Sequence, residues 1–114
     1  MKIQEIIKTG NEEGKEKHVP FIEVADCNEC GELAVIIKVG ETIFHPSTVE
    51  HHIKFIEVYG VNNEDKLVLL TKFELGGEPN VPYVVTHIKK GVFKSVLVLL
   101  MCNVHGLWEN SVEI

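Results

Sequence analysis

From Pro20 onward the apolar positions fall into short runs rich in β-branched and aromatic residues: FIEVA (21–25), LAVIIKV (33–39), HIKFIEVYG (52–60), KLVLLTKFEL (66–75), YVVTHI (83–88), FKSVLVLLM (93–101) and WENSVEI (108–114). Between them stand CNECGE, GETIFHPST, NNED, GGEPNVP, KKG and CNVHG, which supply glycine, proline, asparagine and aspartate where a chain reverses. Seven strands at this spacing predict an all-β fold, a seven-stranded immunoglobulin-like antiparallel β-sandwich. Helical spacing is absent apart from IQEIIK near the start, which is long enough for one short turn. The first 17 residues are polar and charged, which predicts a surface arm with His18 as a candidate pin.

At 114 residues and 45% hydrophobic content, the chain suits one core, and a single domain over 1–114 is expected. A formal charge of −6, with no stripe of Lys and Arg, argues against nucleic acid as a partner. The opening MKIQEIIKTGNEEG has no apolar leader, and the longest uncharged apolar stretch, 96–102, is too short to span a bilayer, so a soluble cytoplasmic protein without a membrane partner is expected. Three cysteines are an odd number. Without an export signal they point away from a disulfide framework and towards metal or redox chemistry.

Five candidate ligands fall at strand ends or in turns: His18 before Pro20, His45 before Pro46, His51 at the opening of a strand, and Cys102 with His105 in the last turn. Imidazoles with one thiolate suit iron, copper or zinc and not magnesium or calcium, which take oxygen ligands. Four histidines would make a nitrogen plane, with a thiolate on its axis and one position open for a small ligand. Two other sets compete. Cys27, Cys30, Cys102 and His105 spell a structural Cys₃His zinc site, which requires the turn near residue 28 to meet the turn near 103. A copper electron-transfer site would combine two histidines with Cys102 and Met101, although Met101, adjacent in a strand, points the other way.

The blocks EKHVPFIE (16–23), HPSTVEHHI (45–53) and CNVHGLWEN (102–110), in that order, closely resemble the one-iron superoxide reductases, also called neelaredoxins. The resemblance implies one mononuclear non-haem iron (Fe2+/Fe3+) with His18, His45, His51 and His105 as equatorial ligands and Cys102 as axial thiolate. It places Glu16 and Lys17 beside the open sixth position. It implies one-electron reduction of superoxide to hydrogen peroxide, an external electron donor such as rubredoxin, and a homo-oligomer, dimer or tetramer. His52 is then no ligand, in keeping with a strand parity that groups His51 with Ile53 and Phe55, and His52 with Lys54. Cys27 and Cys30 lie outside the iron motif and are expected to be a surface thiol pair or an incidental turn. His87 is expected to be structural, and Trp108 a core aromatic beneath the Cys102 turn. Gly106 is expected to allow a close approach or a positive φ.

Overall fold

The computed structural model describes residues 1–10, 15–27, 29 and 31–114, with the backbone alone at 15 and 16. A 3₁₀ turn at Ile3–Glu5 and a one-turn helix α1 at Lys15–His18 precede seven strands. These are β1 Pro20–Cys27, β2 Glu32–Val39, β3 Ile53–Asn62, β4 Leu67–Glu74, β5 Tyr83–Lys89, β6 Phe93–Cys102 and β7 Gly106–Glu113. Every apolar run in the sequence is a strand. The strands form a three-stranded sheet in the order β1-β2-β5 and a four-stranded sheet in the order β4-β3-β6-β7. All five strand pairs are antiparallel. This is the expected immunoglobulin-like sandwich.

Period-two alternation explains the core. In β2, Val35, Ile37 and Val39 are buried, and in β6, Val96, Val98, Leu100 and Cys102 are buried, so one face of each sheet is turned inward. Each aliphatic side chain fully withdrawn from water contributes about 1.5–3 kcal/mol to folding. Strand β3 departs from strict alternation. Ile53 is buried, but the next core residues are Ile56 and Val58, an odd step produced by a register shift against β6 between Ile53 and Phe55. The parity that joins His51 and Ile53 therefore does not extend to Phe55, whose ring carries the Lys72 ammonium 4.5 Å from its centroid.

The N-terminal arm is held by more than His18. Lys8 forms a parallel bridge with Trp108: its N–H donates to Leu107 O (3.1 Å), and its carbonyl accepts from the Glu109 N–H (2.9 Å). The arm thus covers part of the outer edge of β7, where backbone groups would otherwise be left unpaired.

Registers bring one set of strand ends together. Pro20 faces Val39, and Cys102 faces both Ile53 and Gly106, so β1 and β7 begin, β2 and β6 end, and β3 begins at the same end of the sandwich. The Asn110 side-chain amide donates to Pro20 O (2.9 Å) and ties the two sheets there. Among the described residues, no helix is long and apolar enough to cross a membrane.

Candidate metal centre

Three segments deliver side chains to this end of the sandwich. The first is α1, whose last residue, His18, is 4% exposed. Val19 precedes Pro20, and the steric demand of that proline pushes the chain out of helix and into β1.

The second is the crossover 40–52 between the sheets. His45 N–H donates to Val39 O (3.2 Å), and the His45 ring donates from Nδ1 to Pro46 O (2.7 Å). A carbonyl can only accept, so Nδ1 carries the hydrogen and Nε2 presents its lone pair, 3.4 Å from Cys102 Sγ. His51 is set by Thr48, whose hydroxyl accepts from the His51 N–H (3.0 Å) and donates to the His51 carbonyl (3.1 Å). His51 Nε2 is buried with no hydrogen-bond partner among the described residues. The next ring turns away: His52 Nδ1 lies 3.0 Å from Thr48 O and 3.1 Å from Val49 O, so His52 is occupied by backbone.

The third is the β6–β7 hairpin. Cys102 is 1% exposed at the end of β6, and the His105 N–H donates to its Sγ (3.3 Å). Gly106 has φ 83°, and a Cβ there would meet nothing within 4 Å, so glycine serves the positive φ and not a close approach. Asn103 locks the hairpin to the crossover, donating from its N–H to His52 O (3.1 Å) and from its side chain to Glu50 O (3.0 Å), while its Oδ1 accepts from the His52 N–H (2.8 Å). Neither Thr48 nor Asn103 was marked by the ligand pattern. The signal available was a threonine three residues before a histidine, a common local hydrogen-bonding spacing.

The four imidazoles close a ring in the order His18, His45, His51, His105. Neighbouring centroids lie 4.8, 4.6, 5.0 and 4.6 Å apart around the circuit, and the His18–His51 diagonal is 6.3 Å. Cys102 Sγ lies 3.6 Å from His105 Nδ1, which in turn lies 3.0 Å from His18 Nε2. Ligand atoms of His18, His51, Cys102 and His105 all fall within 4.8 Å of one another. Metal–ligand bonds of about 2.0–2.3 Å would separate opposite donors by roughly 4–4.6 Å. The cluster therefore has the span of one ion's ligand shell, and an ion would satisfy the orphaned His51 Nε2.

Burial is graded across the cluster. Cys102, His18 and His45 are buried, His51 is half-buried and His105 is exposed, so the cluster has a buried thiol and meets solvent at His105. Burial, reinforced by the His18, His51 and His105 rings, pushes the His45 pKa down to about 4 against the upward pull of Pro46 O. His51 is lowered as well, by burial first, then by His105, His52 and Lys17. Both rings are thus kept in the neutral form that ligates metal. Lys17 is exposed on α1, within electrostatic reach of His51. The Glu16 side chain lies outside the described residues.

The competing sets do not assemble. Cys27 pairs with Glu32 at the far end of β1, about 23 Å from the Pro20 end at roughly 3.3 Å per residue. Cys27 is also disulfide-bonded, not a free thiol, while Cys102 is free; Cys30 lies outside the described residues. Met101 alternates with Cys102 along β6 and faces away from the cluster. Trp108 is buried, as expected, and its ring also stacks on His18. His87 sits exposed on β5, away from the cluster.

The desulfoferrodoxin family model matches residues 10–111, a span that takes in all five candidate ligands. The chain belongs to the desulfoferrodoxin family. Among its relatives, the superoxide reductase of Pyrococcus furiosus is 39% identical, with 98% of each chain covered. The neelaredoxin of Megalodesulfovibrio gigas is 38% identical over 84% of this chain and 85% of its own. The crystal structure of a putative superoxide reductase from Thermotoga maritima superposes with a TM-score of 0.83 at 32% identity, covering 100% of this chain and 96% of that one.

Proposed function

We propose that this protein is a superoxide reductase, an oxidoreductase that reduces superoxide by one electron to hydrogen peroxide at a mononuclear iron held by His18, His45, His51, His105 and Cys102. The observation that carries the reading is the closed ring of four imidazoles, one of them exposed, with a buried thiol against it. Iron in this set would supply a one-electron couple, with the soft thiolate donating charge to it.

The chain's own groups do the rest. Lys17, exposed beside His51, provides a local positive charge that draws a small anion to the open side of a protein whose net charge is −6. The exposed His105 edge leaves room for that anion and for water, from which two protons complete the peroxide. The Pro46 carbonyl and Thr48 fix the His45 tautomer and the His51 backbone, and Asn103 keeps the hairpin ligands in register with the crossover. The resemblance of the EKHVP motif implies a role for Glu16 together with Lys17. An external donor returns the lost electron, with rubredoxin as the proposed partner.

Protein produced in iron-replete medium should contain one iron per chain and show a visible thiolate-to-iron band that disappears on reduction. It should consume superoxide with peroxide appearing and no dioxygen evolved, and steady turnover should require a donor. Dioxygen and peroxide formed together without a donor would make it a dismutase and overturn the proposal.

A further inference from the structure

Trp108 is the chain's single tryptophan and is 1% exposed, yet its indole N–H has no hydrogen-bond partner among the described residues. Burying that N–H unpaired costs free energy that an aliphatic side chain would avoid, so an aromatic ring at this position serves something besides packing. Its ring lies nearly parallel to His18, 4.8 Å between centroids at 12°, whereas the imidazoles meet one another edge-on or tilted. The Lys8 ammonium sits 5.5 Å from the same indole centroid, brought there by the backbone bonds of Lys8 to Leu107 and Glu109. His18 hangs on a single turn of helix, which by itself fixes a side chain poorly.

We propose that Trp108 and Lys8 are positioning residues for His18, the indole holding the plane of the imidazole and the Lys8 ammonium adding positive charge to the metal centre through that ring. The inference rests on the metal-centre reading above. A cation over an aromatic face is attracted by the ring quadrupole, so the arm and the indole hold each other in place. A positive charge beside a redox centre favours its reduced, less positive state. Residues that orient a metal-bound histidine change metal affinity by about 10- to 100-fold when removed.

The test uses the iron-loaded full chain, with midpoint potential and the rate of iron release to a chelator as readouts. Lys8→Gln should lower the midpoint potential, by less as salt rises, and Lys8→Arg should restore it. Trp108→Leu should release iron about tenfold faster or more, while Trp108→Phe, which keeps a ring against His18, stays near wild type. Wild-type potential in Lys8→Gln with complete iron loading overturns the role of Lys8. A stability loss without any change in release overturns that of Trp108. Should Trp108→Leu fail to fold, the two Lys8 variants decide. If the unmutated chain takes up no iron, the metal-centre reading falls and takes this inference with it. If that chain loads normally and the variants match it, this inference alone falls.

Discussion

His45 shows how one ring can carry several constraints at once. Its Nδ1 is committed to a carbonyl, its Nε2 faces a thiol, and burial keeps it neutral, so it is prepared as a ligand before any ion arrives. In the proposed centre Cys102 would be the complementary soft anionic donor, for which a hydroxyl is a poor substitute. Cys102→Ser should therefore abolish the visible band and the activity, as absorption spectra and superoxide assays on the same sample would show. Lys17 acts at longer range. Lys17→Ala should slow the reaction of the reduced protein with superoxide about tenfold at low ionic strength, with the gap closing as salt rises and iron content unchanged. Pulse-radiolysis rates across a salt series check it, and an unaltered low-salt rate would remove Lys17 from the mechanism. The five candidate ligands were legible in the sequence because each stands at a turn beside proline, glycine or a strand end. Thr48 and Asn103 were not, since they act through backbone groups that no hydrophobic pattern marks.

At the scale of elements, all seven strands could be read from the apolar runs, because each run is bounded by residues that favour reversal. The β3 register shift could not. It arises because β3 must pair with β4 and β6 at once while turning both Ile53 and Ile56 inward, a demand of the assembled sheet that the strand's own sequence does not display. Nor did the polar arm announce its bridge to β7, which uses the backbone of Lys8 and no apolar side chain. Two glycines allow the element geometry to be tested. Gly106→Ala meets open space, so its cost is the positive φ alone, about 1–2 kcal/mol by denaturant unfolding. Gly60→Ala fails for the opposite reason: its Cβ would come within 2.5 Å of the Phe93 ring, and the crowding should cost about 1–3 kcal/mol. A Gly60→Ala protein as stable as wild type would mean that Phe93 swings aside freely.

For the whole molecule, the buried imidazole couples folding to acidity. With iron removed, His45 is neutral in both folded and unfolded chains above pH 6.5, so its contribution there is level. Between 6.5 and about 4 the unfolded chain takes up a proton that the folded one refuses, and stability falls by up to about 3 kcal/mol. Urea titrations of the iron-free chain at pH 7.5 and 4.5 should show the loss, and His45→Gln should flatten it. Metal should act in the other direction, since the assembled ligand set exists only in the folded state; ligand at a hundredfold excess over Kd adds about 2.7 kcal/mol. The donor set comes from α1, the crossover and the last hairpin, and its outermost members, His18 and His105, stand 87 positions apart. An ion gripping all three segments is thus a buckle, fastening six of the seven strands inside one closed loop of chain. Unfastening it should leave the sandwich intact at its far end and fraying at the near one, so a protease would first cut the iron-free protein within 40–52.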